Sequence, residues 1–239
     1  MIGPIRDRTL KALSLLLSYP SPELQAAMAE IGGVLAAETR LTAQARRELR
    51  QLVESLRDGD SYALQERYVT LFDRSRALSL NLFEHVHGES RDRGSAMVSL
   101  LETYRAGGFE PASWELPDHL PVLLEFLSTR PEQEARDTLA DAAHIFDALA
   151  ARLGRRASPY AAVLAALLQL AGGASDREAV AELLAAREDD PDDLAALDAT
   201  WEETEVSFGP DPSAGCPVSR ELLARMNDIV PSAPGRAAD

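Results

Sequence analysis

Apolar residues recur along most of the chain with the three- and four-residue spacing of a helix that is buried on one face. Leu10, Leu13 and Leu17 form such a stripe near the start, and a longer one runs from Leu139 to Leu153. The sustained alternation typical of paired strands does not occur. The pattern therefore predicts an all-α protein. The predicted helices lie near 6–19, 22–37, 43–57, 61–72, 79–87, 91–106, 119–129, 132–153, 159–171, 176–187 and 191–204.

Two stretches interrupt the helical pattern. Residues 107–118 form a loop long enough to suggest a role of its own. After residue 205 the periodicity fades into a proline-containing segment, interrupted by one weak helix at 219–229. We therefore expect a single compact helical domain of about ten helices at 1–205, followed by a flexible acidic tail at 206–239.

The charge and cysteine content of the chain argue against several classes of function. The net charge is −15 at pH 7, which argues against a nucleic-acid partner because phosphate binding needs Lys and Arg. Cys216 is the only cysteine, so no disulfide or cysteine zinc site forms within one chain. No stretch reaches the roughly 18 apolar residues that span a bilayer, and the apolar run near the start is short for a signal peptide. We expect a soluble cytoplasmic protein without direct membrane insertion.

Residues 82–94, LFEHVHGESRDRG, hold two of the four histidines and suggest a metal site. On a helix, His85 and His87 point about 200° apart and cannot share a face. His85 and Glu89 have a favourable four-residue spacing, but the glycine between them is expected to end the helix. A small metal-dependent enzyme using His85, His87 and His119 remains an alternative interpretation.

Two other clusters each have a structural and a functional interpretation. Asp118-His119 suits an acid/base pair, but Asp118 is equally suited to cap the helix LPVLLEFL, with His119 in its first turn. The aromatic stripe at Tyr68 and Phe72 is more typical of a core, although a polar string at 73–76 follows at once. No phosphate-binding loop, dinucleotide fingerprint or nucleophile elbow accompanies either cluster.

Two short motifs and the segments around them are similar to a known family. An aromatic-x-x-Leu-Phe helix end occupies residues 68–72, and a Glu-x-Pro-Asp-His sequence occupies residues 115–119. Together with the rest of 67–104 and 108–128, they resemble the assembly chaperones of respiratory nitrate reductase, often called its delta subunit. That family belongs to the TorD-like redox-enzyme maturation chaperones. The resemblance covers about residues 8–205.

The resemblance implies a compact all-helical fold without enzymatic activity. Family members bind the amino-terminal segment of the catalytic, or alpha, subunit of nitrate reductase in the cytoplasm. They keep the apoprotein open for insertion of the molybdenum cofactor and prevent early docking on the membrane-bound subunit. No cofactor is expected to bind the chaperone stably, and molybdenum cofactor biosynthesis proteins are further candidate partners.

The resemblance also implies a groove for the client segment, in which apolar residues receive its apolar face and acids its basic ends. A generic helical adaptor with a purely structural histidine-rich stretch is a third interpretation. The residues predicted to line or support the groove are Tyr68, Leu71, Phe72, Asp73, Arg74, His85, His87, Glu89, Glu115, Pro117, Asp118 and His119.

Overall fold

The structure, a computed structural model, describes residues 5–87, 92–112 and 115–185. These residues form twelve α-helices and no β-strand, so the all-α prediction is confirmed. The helices are α1 (Arg8–Leu16), α2 (Pro22–Ala26), α3 (Met28–Ala37), α4 (Ala43–Asp58), α5 (Ser61–Tyr68), α6 (Leu82–His87), α7 (Asp92–Ala106), α8 (Leu120–Leu127), α9 (Glu132–Asp141), α10 (Ala143–Arg155), α11 (Ala161–Ala171) and α12 (Arg177–Ala185).

Helix α1 combines a local start signal with a buried face. The Asp7 carboxylate accepts hydrogen bonds from the backbone N–H groups of Thr9 and Leu10, at 2.9 and 3.0 Å. These are two of the donors that lack a partner at the start of any helix. Leu10, Leu13 and Leu17 are buried as their spacing predicts. They pack α1 against α8 on one side and α3 on the other.

Helices α10 and α11 form the centre of the body. They pack against each other, with α12 beside α10 and with α9 and α4 beside α11. Phe146 and Leu153 of α10, and Leu164 and Leu167 of α11, are completely buried. Burying a side chain of this size contributes about 1.5–3 kcal/mol. This helix pair therefore supplies a large part of the stability of the body.

Two helices predicted as continuous are each divided in two, so those predictions are wrong. The segment at 22–37 breaks at Ala27, and the segment at 132–153 breaks at Ala142. Neither break contains proline or glycine. The backbone ψ there is near zero, at −7° for Ala27, which stays in the right-handed helical region, and at 4° for Ala142, which leaves it. The halves pack on different neighbours: α9 contacts chiefly α11, whereas α10 contacts both α11 and α12.

The helices predicted at 61–72 and 79–87 are also shorter than expected. Helix α5 passes into one turn of π-helix at Val69–Asp73, and one turn of 3-10 helix follows at Arg76–Leu78. Residues 79–81 are not helical, so α6 begins only at Leu82. The Leu80 carbonyl bonds to another segment, described below, and is therefore not available to a helix.

The described residues all belong to one compact unit of the chain, Met1–Asp193. The helices predicted at 191–204 and 219–229 lie outside the described residues, and so does the expected domain boundary after 205. That boundary stays a prediction. Among the described helices, none is both long and apolar enough to cross a bilayer.

Candidate binding groove

A short backbone pairing brings the two sequence motifs together. Asn81 and His119 form an isolated antiparallel bridge. The Leu120 N–H donates to the Leu80 carbonyl at 2.8 Å, and the Leu82 N–H donates to the Asp118 carbonyl at 3.0 Å. The segment before α6 is thereby fixed to the segment before α8, and both form one wall of a groove.

The π-helical turn at the end of α5 forms the opposite wall. Its i-to-i+5 hydrogen bond runs from the Arg74 N–H to the Val69 carbonyl at 3.0 Å. Tyr68 is buried, and its hydroxyl donates to the Leu17 carbonyl at 2.8 Å. The Phe72 ring lies 5.0 Å from the Tyr68 ring. π-Helical turns are often found at functional sites, and this one carries the first motif.

The groove between these walls has a volume of about 440 Å³. Five of the predicted residues line it, which brings the two motifs into one site. Helices α1 and α8 and the residues next to them complete it. The predicted residues in the lining are Tyr68, Phe72, Asp73, Glu115 and His119, and the others are Lys11, Ser14, Leu15, Ser18, Tyr19, Ser79, Leu80, Asn81, Leu116, Pro121, Val122 and Glu125.

Asp118 is fully buried beneath the groove and does not line it. Its Oδ2 accepts a hydrogen bond from the Phe83 N–H at 3.1 Å, in the first turn of α6. The expectation that it caps α8 is therefore wrong: His119 occupies that cap position, without a side-chain capping bond. Burial raises the pKa of the Asp118 carboxyl, which the Phe83 hydrogen bond only partly offsets. Asp118 thus supports the groove from below, and in this conformation it offers no surface to a ligand.

The two described histidine side chains of the predicted site are both partly buried. Nε2 of His85 lies 2.8 Å from the Ser79 carbonyl, and Nδ1 of His119 lies 3.0 Å from Oε2 of Glu115. Burial lowers the pKa of both rings below the usual histidine range. For His119 this effect outweighs the attraction of Glu115, so both rings are uncharged at neutral pH.

Two charged residues of the histidine-rich stretch, Glu84 and Arg93, pair with each other within the structure. Arg93 donates to Oε1 of Glu84 at 3.0 Å, and Asn81 is 3.5 Å from the same oxygen. Burial alone would raise the pKa of Glu84, but hydrogen bonds from Ser79 and Asn81 and the charge of Arg93 together lower it. This network holds α6 and α7 to the wall of the groove.

The described part of the chain contains no cluster of side chains that supports the metal interpretation. No three His, Cys, Asp or Glu side chains are grouped there so that they could hold an ion. His85 and His119 instead contact the partners given above. His87 ends α6, but its side chain, like all of Glu89, lies outside the described residues.

Three other predicted residues lie around the groove without lining it. Leu71 is buried behind the wall, and Arg74 is exposed outside it. The Pro117 carbonyl accepts a hydrogen bond from the Tyr104 hydroxyl at 2.7 Å, which fixes the loop before α8. Their contribution to binding stays a prediction.

Sequence reasoning missed the residues that α1 and α8 contribute. Lys11 of α1 and Glu125 of α8 form an ion pair of 2.5 Å in the lining of the groove, with both side chains about a quarter exposed. Tyr19 is 48% exposed, and its ring meets the Tyr68 ring edge-on at 5.6 Å. One signal was available: Lys11 is the only lysine of the chain and lies within an otherwise leucine-rich helix.

The groove combines exposed apolar side chains with acids. Tyr19 and Leu116, 48% and 43% exposed, are large apolar side chains in its lining. Asp73 and Glu115 add negative charge, and Glu125 is offset by Lys11. With three acids against one lysine, the lining is acidic overall. Such a surface suits a ligand with an apolar face and positive charge.

Comparison with known proteins identifies the family. The family model described as nitrate reductase delta subunit matches residues 38–166. The chain belongs to the nitrate reductase delta subunit family. The matched range includes both motif segments of the groove, whereas Lys11 and Tyr19 precede it.

Relatives in this family match over most of their length. The nitrate reductase molybdenum cofactor assembly chaperone NarJ of Escherichia coli K12 is 46% identical over 208 residues, 86% of this chain and 87% of NarJ. The probable assembly chaperone NarW of the same strain is 38% identical over 225 residues, 93% and 94% of the two chains. The probable chaperone NarJ of Bacillus subtilis 168 is 34% identical over 182 residues, 73% and 94%. These relatives are named as assembly chaperones and not as enzymes, in agreement with the expected lack of enzymatic activity.

Proposed function

We propose that this protein is a client-specific chaperone of respiratory nitrate reductase in the cytoplasm. It binds the N-terminal segment of the catalytic subunit and keeps the apoenzyme competent for insertion of the molybdenum cofactor before membrane docking. The molybdenum cofactor is cargo for the client and is not held stably by the chaperone.

The observation that carries the proposal is the groove itself. Both sequence motifs of the family meet there, although they are more than forty residues apart in the chain. The lining exposes Tyr19 and Leu116 beside the acids Asp73 and Glu115. An amphipathic helix with basic residues has a complementary surface, since its apolar face fits a groove of this kind.

The first experiment tests the apolar contact. A synthetic peptide of about the first 20 residues of the catalytic subunit, roughly 30 Å long as a helix, is titrated calorimetrically into the full chain. We expect Tyr19→Ala to weaken binding by about tenfold or more, as for a tyrosine anchor at an interface. Tyr62→Ala is the matched control, because Tyr62 is 82% exposed and lies outside the groove. Equal affinities of the two variants would contradict the proposal.

The second experiment tests the charge. Asp73→Asn removes a negative charge from the groove, whereas Glu66→Gln removes one from an exposed position elsewhere on α5. We expect Asp73→Asn alone to weaken the peptide several-fold and to reduce the salt dependence of binding. A loss of affinity with Glu66→Gln as large as with Asp73→Asn would indicate non-specific attraction.

The third experiment connects binding to maturation. Cells that lack their own chaperone gene are supplied with the wild-type chain, the Tyr19→Ala variant or the Tyr62→Ala variant. We expect Tyr19→Ala to lower the molybdenum content of the nitrate reductase catalytic subunit and Tyr62→Ala to leave it unchanged. Full cofactor loading with a variant that no longer binds the peptide would show that maturation does not depend on this groove.

A further inference from the structure

A second, smaller groove adjoins the first along α1. It runs between α1 and α3 and has a volume of about 180 Å³. Its lining is mostly apolar, and Ile5 at its edge is 50% exposed. The lining residues are Ile5, Arg8, Lys11, Ala12, Leu15, Ala27, Glu30, Ile31 and Val34.

The two grooves share a boundary on α1. Lys11 and Leu15 belong to both linings. They are four residues apart, so they lie on one face of α1 and about 6 Å apart along its axis. Lys11 is partly buried by its ion pair with Glu125, and Leu15 is only half-buried. The boundary is therefore a low ridge, over which one ligand can contact both grooves.

The size of the second groove indicates what it accommodates. Small-molecule sites usually enclose about 300–1,000 Å³, which is more than this groove offers. A cavity of about 150 Å³ is large enough for a benzene ring. The groove therefore fits one large apolar side chain. Arg8 and Glu30 at its rim pair with each other at 3.2 Å, so the rim adds little net charge.

We propose that the second groove binds an apolar side chain of the same client segment whose basic part lies beside Asp73 and Glu115. This inference rests on the proposed function and adds a second contact to it. Its basis is the shared ridge of Lys11 and Leu15. A helix of about 20 residues, roughly 30 Å long, is long enough to contact the linings next to this ridge in both grooves. The client class is thus an amphipathic helix with an apolar anchor separated from its basic residues.

A matched pair of substitutions on α3 tests the second groove. Val34→Asp places a charge in its lining, whereas Gly33→Asp places the same charge one residue away, where an added Cβ meets nothing within 4 Å. We expect Val34→Asp to weaken the client peptide by about tenfold or more, which corresponds to about 1.4 kcal/mol of lost apolar contact. Gly33→Asp should bind like the wild type. Ile5→Asp provides a second variant at a half-exposed position, where folding is not at risk, and we expect it also to weaken binding.

The outcomes distinguish this inference from the proposed function. If Tyr19→Ala weakens the peptide while Val34→Asp and Ile5→Asp do not, the second groove is not part of the site and only this inference fails. If all three variants bind normally, the proposed function fails as well. Sedimentation of the full chain tests whether a second copy of the chain occupies the groove. A dimer that dissociates on Val34→Asp would make the groove a contact between copies and overturn the inference.

Discussion

The central helix pair and the walls of the groove are stabilised in different ways. Helices α10 and α11 are joined through apolar side chains, and Phe146 and Leu167 are completely buried between elements of regular geometry. The groove walls contain a π-helical turn, a 3-10 turn and an isolated bridge. Beneath them lie Asp118 and the partly buried His85, polar groups that need specific partners.

This difference indicates that the polar groups beneath the groove walls do more than stabilise the fold. Apolar packing is non-directional, so the central pair needs only side chains of suitable size. Buried polar groups cost free energy unless they are hydrogen-bonded, so Asp118 and His85 restrict the backbone around them to one arrangement. The walls thereby gain a defined shape, which recognition of a client requires. The variants below test this contrast.

The largest effect is expected from two buried phenylalanines. Phe146→Ala and Phe72→Ala should each lower the free energy of unfolding by about 3–5 kcal/mol, because both create cavities. Urea denaturation measures this loss. Among folded molecules, Phe146→Ala should bind the client peptide normally, whereas Phe72→Ala should bind it more weakly. Normal binding by folded Phe72→Ala would assign Phe72 to the core alone. If either alanine variant fails to fold, the corresponding Phe→Leu variant is measured in its place.

Asp118 is expected to show an intermediate effect that depends on the replacement. Asp118→Ala leaves the Phe83 N–H without its partner and should lower the free energy of unfolding by about 1–3 kcal/mol. Asp118→Asn keeps an acceptor and removes a buried charge, so its stability should stay within about 1 kcal/mol of the wild type at pH 7.

The raised pKa of Asp118 also predicts the sign of a pH effect. Its contribution to stability is fully present below the unfolded pKa, about 3.9, and is lost as the pH rises through the folded value. Asp118→Asn should abolish this part of the pH dependence in urea denaturation. A loss of stability for Asp118→Asn as large as for Asp118→Ala would show that the ionised carboxylate is required.

A smaller effect is expected from the two histidines. Burial lowers the pKa of His85 and His119, so their contribution to stability is present above about pH 6.5, the unfolded value. It is lost as the pH falls through the folded values, because the unfolded chain takes up protons first. Stability measured between pH 7.5 and 5.5 should therefore decrease, and less so in His85→Asn and His119→Asn. If stability depends on pH in both variants as it does in the wild type, these two histidines are not the cause of the decrease.

The smallest effect is expected at an exposed ion pair that belongs to neither region. Arg8 and Glu30 are 3.2 Å apart, with side chains 68% and 79% exposed. Arg8→Ala should change the free energy of unfolding by less than about 0.5 kcal/mol, since solvent and salt screen such pairs. Chemical denaturation provides the measurement. A change above about 1 kcal/mol would mean that the α1–α3 surface is more tightly coupled than its exposure indicates.

The helical body was predictable from the sequence because its apolar periodicity is local. Leu10, Leu13 and Leu17 were assigned to one buried face from their spacing alone, and they lie there. The breaks at Ala27 and Ala142 were not predictable. Alanine favours helix continuation, and these breaks depend on which neighbours each half contacts.

The site was predictable only in part, because its geometry depends on distant segments. The family motifs indicated Tyr68, Phe72 and His119, which all line the groove. By sequence, Asp118 is equally suited to cap the helix that follows it, but the bridge directs its carboxylate to Phe83, 35 residues away in the chain. Lys11 was missed because nothing near it in the sequence indicates its partner on α8.

The ion pair between Lys11 and Glu125 has a consequence for the order of folding. Its two residues are 114 positions apart. Contacts of such separation form late, because closing a long loop costs chain entropy before any contact offsets it. The groove is thus complete only when the chain from α1 to α8 has folded as a whole. A nascent or partly folded chain therefore has no complete groove, so under the proposed function its ability to bind a client would report that it has folded.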